Sequence, residues 1–318
     1  MPELPEVETV ARGLQAAVAG RQILSVTLRK TDFIDDPSAI ERELPGRHIV
    51  RIERFGKFML LQLANSPVFA APSSTAAENA AGQISEALLV HLGMTGHLAP
   101  HSANQPLTKH THVTFVLDDG RELRYSDARR FGRMAYLSGA ALKAELERFG
   151  ADPLHVNAEE FERRINASKA RIKALLLDQS VLRGVGNIYA DESLWKAKIH
   201  PAKIGTRLTA VELEALRKGL RKILLKAIEL RGSSISDFVD AGGIPGDYQQ
   251  HHKVYGREGE ACLRCGAKIR RMIVAGRGSH FCPLCQLAPR AQRGSRHSSR
   301  KCTSKKAKRN RPRRTSKR

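Results

Sequence analysis

The tightest constraint on this 318-residue chain lies near its C-terminal end, where Cys262-x-x-Cys265 and Cys282-x-x-Cys285 are separated by 16 residues. Each pair sets two sulfur donors in one tight turn, and two such turns complete a tetrahedron around a metal ion, the spacing of a zinc ribbon. Four thiolates leave no coordination position open for a substrate, so the one Zn2+ expected here is structural. The segment between the pairs reads as two strands, Ile269 to Val274 and Ser279 to Phe281, joined by Ala275-Gly276-Arg277-Gly278 with Arg277 at the tip. Two disulfides are the alternative. They need an oxidising compartment, and the chain shows neither a secretory N-terminus nor 18 consecutive apolar residues, so it reads as soluble and intracellular. Cys302, the fifth cysteine, reads as a spare thiol.

Charge narrows the choice of partner. Lys and Arg number 54 against 32 Asp and Glu, a formal charge of +22. Residues 287–318 carry 14 of those cations and no acid, which leaves +8 on residues 1–286. A moderately basic body with a polybasic tail points to a polyanion, nucleic acid before membrane, because no amphipathic anchor is evident. The tail is nearly free of apolar residues, is expected to be disordered, and would add salt-sensitive affinity for DNA; a localisation signal is the rival reading.

The chain opens Met1-Pro2-Glu3-Leu4-Pro5-Glu6-Val7-Glu8-Thr9. Removal of Met1 would leave Pro2 as a free secondary amine, with Glu3 beside it and Glu6 one helical turn on. An α-amine has a reference pKa near 7.7–8.0, so roughly a tenth of it is neutral at pH 7. Such an amine attacking the anomeric carbon of a sugar forms an iminium directly. Pro5 suits a first helical turn, and Val7, Val10, Ala11, Leu14 and Val18 recur at helical spacing up to Gly20.

Six segments of alternating β-formers follow: Ile23 to Leu28, Ile49 to Arg54, Phe58 to Leu63, Ala87 to Leu92, His112 to Leu117 and Arg121 to Tyr125. They predict an all-β unit of six to eight strands over residues 1–137, with residues 65–83 as a surface insert rich in Ala, Ser, Asn and Pro. Met94, between Gly93 and Gly96, is placed to stand at a loop tip, where a flexible apolar side chain could replace a base lifted from the stack. His110 and His112 would face one side of an alternating strand, yet no third metal ligand is near. From Gly139 the period turns helical, through Leu142, Leu146 and Phe149, then Phe161 and Ile165, then Ile172 to Leu177, and finally a long amphipathic helix over 209–231. Gly184-Val185-Gly186-Asn187 opens a helix with Asn187 as its expected cap, and free amides at such a start bind phosphate. The fold class is α+β. An N-terminal helix and β-sandwich domain is followed by a helical domain over 138–250, the zinc ribbon over 251–286 and the tail over 287–318.

The opening string closely resembles the N-terminus of the formamidopyrimidine-DNA glycosylase (Fpg) family, bifunctional glycosylases and AP lyases of DNA base excision repair. The strings around Lys57, Met94, Arg129 and Asn187 and the cysteine pairs follow in that family's order. The resemblance implies a β-sandwich and a helix–two-turn–helix, with damaged double-stranded DNA bound between them by a monomer. Pro2 would be the Schiff-base nucleophile and Glu3 the proton carrier, with Lys57 and Arg277 as catalytic helpers and Glu6 positioning the N-terminus. Met94, Arg129 and Phe131 would fill the void left by the extruded base. His110, Arg129, Lys169 and Asn187 would contact DNA, with Lys173 as a basic neighbour, and Gly232 to Phe238 would form the loop over the base. The implied substrates are 8-oxoguanine and formamidopyrimidines, excised with β,δ-elimination; in a bacterium the place of action would be the cytoplasm, at the nucleoid.

Two alternatives stay open at this level. An endonuclease VIII-like enzyme would take oxidised pyrimidines, although PELPEVET and the glycine-bracketed Met94 favour Fpg. A catalytically silent zinc-ribbon DNA binder would keep the fold without needing Pro2, Glu3 or Lys57. Mass spectrometry of the N-terminus of the purified protein tests the amine reading, because a retained Met1 acylates Pro2 and abolishes the amine chemistry.

Overall fold

A computed structural model describes residues 1–66, 85–235 and 238–289. Most of the expected insert and the tail from residue 290 onward lie outside those residues, as do Ser236 and Asp237 of the expected loop over the base. Residues 1–288 form one compact unit.

Helix α1 (Leu4–Val18) begins with Pro5 in its first turn, and Glu6 reaches back to the backbone N–H of Glu3 at 2.8 Å, half of a capping box. Its stripe Val7, Val10, Ala11, Leu14 and Val18 is buried among strand residues such as Ile52, Met59, Val113 and Phe115. Leu4 belongs instead to a second core, with Leu182, Val185, Tyr189 and Leu216. One short helix therefore ends in two different cores. That junction is where the N-terminus lies.

Eight strands make the sandwich: β1 (Ile23–Leu28), β2 (His48–Phe55), β3 (Phe58–Ala64), β4 (Glu86–His91), β5 (Gly96–Ser102), β6 (Thr111–Leu117), β7 (Arg121–Asp127) and β8 (Arg133–Ser138). They form two antiparallel sheets in the orders β1-β6-β7-β5 and β2-β3-β4-β8. Alternation missed β5 and β8. Gly96 and Pro100 read as turn residues, but β5 is an edge strand, where a missing N–H is tolerated. A short helix α2 (Pro37–Glu43), capped by Asp36, follows β1.

Five helices follow the strands: α3 (Gly139–Glu147), α4 (Ala158–Asn166), α5 (Ile172–Leu177), α6 (Asn187–Lys196) and α7 (Ala210–Glu229). Leu142 and Leu146 of α3 pack on Leu60, Leu89 and Ala135 of the sheet, and Phe149 lies just past the helix end. The other four helices build the second core. Buried Arg54 ties the two cores, donating to Glu8 of α1 and to Asp152 of the helical part at 2.8 Å each. The last strands, β9 (Arg270–Val274) and β10 (Arg277–Phe281), form a hairpin whose turn residues Ala275 and Gly276 both have positive φ. The tip is thus Ala275-Gly276, and Arg277 opens the returning strand opposite Val274.

Candidate active site

Helix α6 starts at Gly186, which offers no side chain to its free amides. The cap arrives from the other end of the chain: the Glu3 carboxylate accepts from the N–H of Ile188 at 3.0 Å and of Tyr189 at 3.4 Å. This corrects the expected role of Asn187, which is the first helical residue and not the cap. A carboxylate at the positive end of a helix dipole is favoured by both hydrogen bonding and charge. Gly186 is needed for the approach, since a Cβ there would fall 2.2 Å from Glu3 Cδ. Leu4 N donates to Gly184 O at 3.0 Å and completes the clamp.

Glu6 is buried one turn deeper. It accepts from Glu3 N at 2.8 Å, Tyr189 Oη at 2.5 Å and Ser233 N at 2.7 Å. Gly232 in left-handed geometry lets the chain pass within contact of that carboxylate. Pro2, joined to Glu3, is buried. Lys57 completes the group from the β2–β3 turn, where Gly56 at φ +64° packs against Arg183.

The charges answer one another. Burial pushes the Glu3 carboxyl up to about 7, against the pull of the Lys57 ammonium, and burial also raises Glu6. Burial lowers the Lys57 ammonium, Glu3 and Glu6 hold it up, and Arg277 presses it down. Pro2, Glu3, Glu6, Lys57 and Arg277 are thus brought together at one site from residues 2 to 277.

The three residues expected to fill a DNA void share one scaffold. Met94 and Phe131 are 42% and 58% exposed, large apolar side chains standing in solvent. The Arg129 guanidinium lies 4.6 Å over the Phe131 ring. Beneath them, fully buried Asp127 accepts from Thr95 Oγ1 at 2.6 Å and from the N–H of Arg129 and Gly132 at 3.1 Å each. Gly93 fits against the Phe131 carbonyl carbon, where a Cβ would stand at 2.4 Å. Asp127 and Thr95 were not picked out from sequence, because an acid ending a strand reads as a turn residue.

His110 and Lys169 are exposed, and the Oδ1 atom of Asn187 is buried without a hydrogen-bond partner among the described residues. His112 does not share the face of His110: a register shift between Thr111 and Val113 breaks the alternation, and His112 turns inward to the Asp127 carbonyl at 3.0 Å. Lys173 is not part of a groove either. It is fully buried, paired with Asp191 at 2.7 Å and donating to the Gly278 carbonyl at 2.9 Å. Asp191 also accepts from His280 N at 2.8 Å, so the pair fastens the hairpin bearing Arg277 to α6. Glu192 likewise holds the N–H groups of Lys253, Val254 and Tyr255 at 2.9 Å.

The Sγ atoms of Cys262, Cys265, Cys282 and Cys285 all lie within 4.8 Å of one another. Zn–S bonds of about 2.3 Å make a tetrahedron with edges of roughly 3.8 Å. The Cys262–Cys285 and Cys265–Cys285 separations of 4.0 and 3.5 Å match it, and the four cysteines are free of disulfides. They hold one structural Zn2+.

Three family models match in succession: the formamidopyrimidine-DNA glycosylase N-terminal domain over residues 1–134, its H2TH domain over 149–239, and the zinc finger found in FPG and IleRS over 259–288. The chain belongs to the formamidopyrimidine-DNA glycosylase family. The formamidopyrimidine-DNA glycosylase of Herpetosiphon aurantiacus is 40% identical over 291 residues, covering 90% of this chain and all of the relative. That of Solibacter usitatus is 41% identical over 288 residues, covering 90% and 99%. Lactococcus lactis Fpg in complex with abasic-site DNA is 34% identical with a TM-score of 0.78, over 90% of this chain and all of that one. The same Fpg with Fapy-dG DNA matches equally well.

Two outcomes follow for this Fpg family member. Gly186→Ala is expected to expel the Glu3 carboxylate from the α6 amides rather than unfold the chain, costing about 1–3 kcal/mol in chemical denaturation. The folded Glu3 carboxyl, raised to about 7 from 4.5, favours the protonated form, so its contribution is complete below pH 4.5 and is lost as pH rises through 7. Glu3→Gln, which cannot ionise, is expected to remove that loss, on the order of 3 kcal/mol between pH 4 and 9 with Met1 in place. A freed Pro2 ammonium beside Glu3 makes the difference smaller.

Proposed function

We propose that this chain, a DNA glycosylase of base excision repair with AP lyase activity, releases oxidised purines through a Schiff base on Pro2. The observation that carries the reading is a buried Pro2 joined to Glu3, an acid that the α6 amides anchor and that interacts with Lys57 and Glu6. The Lactococcus lactis complexes with abasic-site and Fapy-dG DNA support the same substrate class.

The damaged nucleotide leaves the stack while Met94, Arg129 and Phe131 occupy its place. The Pro2 nitrogen attacks C1′ of the sugar, and Glu3, poised near neutrality, exchanges protons with sugar and base as the glycosidic bond breaks. The resulting iminium acidifies the C2′ proton, and elimination expels the 3′ phosphate and then the 5′ phosphate. Lys57 and Arg277 supply cationic help at that stage. Glu6 holds the first turn in place through Glu3 N. His110, Lys169 and Asn187 grip the phosphate backbone. The protein acts as a monomer on damaged duplex DNA, in the cytoplasm at the nucleoid if bacterial. No helix among the described residues is long and apolar enough to cross a membrane.

Borohydride trapping on a duplex with one 8-oxoguanine opposite cytosine tests this. The wild type gives a covalent band, Pro2→Gly gives much less, and Glu3→Gln lowers base excision by about 100-fold or more. Binding with no trapped band, from protein shown to lack Met1, rejects this lesion and moves the reading to oxidised pyrimidines, then to a silent binder.

A further inference from the structure

The C-terminal end of α6 carries Trp195, the single tryptophan of the chain. Its indole Nε1–H donates to the Sγ of Cys262 at 3.5 Å, a side-chain donor to one of the four sulfurs. Arg264, inside the first cysteine turn, lays its guanidinium 4.0 Å over the indole ring and donates Nη1 to the Trp195 carbonyl at 3.1 Å. Trp195 packs with Val254, Ile269, Cys262, Cys282 and Cys285 in a small core of their own. The indole is thereby fixed from three sides: by its sulfur acceptor, by the cation above it and by the apolar contacts below.

We propose that Trp195 is a positioning residue of the zinc site, whose N–H holds the Cys262 thiolate and joins retention of the metal to helix α6. A tetrathiolate zinc centre carries a net charge of −2, and a hydrogen bond to a buried thiolate spreads part of that charge and lowers the tendency of the ligand to leave. The far end of the same helix holds the Glu3 carboxylate. Ten residues of α-helix span about 15 Å. The zinc-bound sulfur and the acid beside the reactive amine therefore sit on opposite ends of one rigid element.

The test uses the intact, zinc-loaded protein. Trp195→Phe keeps the ring and the stacked cation but removes the N–H, and is expected to release zinc to a colorimetric chelator about tenfold faster. In cobalt-substituted protein the same change moves the sulfur-to-metal charge-transfer band to lower energy, because a thiolate that loses a donor gives up an electron more easily. Arg264→Met, which keeps the N–H, leaves that band in place. A wild-type band and a wild-type release rate in Trp195→Phe overturn the assignment. If that variant does not fold, the unmodified protein decides the matter, since excitation to the red of the five tyrosines' absorption draws emission from this one indole. Stripping the zinc must shift that emission, and an unchanged spectrum overturns the proposal.

Discussion

Two backbone amides at the start of α6 and one carboxylate from residue 3 form the contact on which the rest of this site depends. A helix N-terminus needs acceptors for its free N–H groups, and a buried acid needs donors. Here each supplies what the other lacks, across 185 residues of sequence. The arrangement works because Gly186 has no side chain and because Leu4 extends the second core while Val7 extends the first. Removal of any of these lets the N-terminus swing, and Pro2 with it.

Helix α6 distributes what that contact secures. Tyr189 reaches Glu6, Asp191 meets Lys173 and the hairpin, Glu192 gathers three amides of the segment before the ribbon, and Trp195 meets a zinc ligand. Polar groups this deep are costly unless paired. Asp191 and Lys173 are both fully buried, a costly arrangement unless geometry is good, and they meet at 2.7 Å. The pair orients the hairpin from which Arg277 reaches toward Lys57.

Periodicity and turn chemistry made much of the fold legible: the α1 stripe, six of eight sandwich strands, the helical succession and the four cysteines. The edge strand β5 was hidden because Gly96 and Pro100 are turn residues everywhere except at a sheet edge. The first nine residues, Met94 and Arg277 could be picked out because glycines or chain position set them apart. Lys173 was misplaced because a lysine is normally solvated, and nothing local shows the Asp191 that permits its burial. Asn187 was misread as a cap for the same kind of reason: the true cap is separated from it by most of the chain. Asp127, the organiser of the loop that bears Arg129 and Phe131, looks from sequence like any acid at the end of a strand. Apart from the strands β5 and β8, what escaped was polar pairing, which leaves no periodic trace.

The separation between Glu3 and its acceptors also sets an order of events during synthesis. At about 5–20 residues per second, a ribosome needs roughly 10–40 s to pass from residue 3 to residue 189. Throughout that interval Glu3 lacks its α6 donors, and the bond between Met1 and Pro2 is open to an aminopeptidase. Once α6 emerges and captures Glu3, Pro2 is enclosed. An amine unmasked in that interval is then shut into place by the last half of the protein.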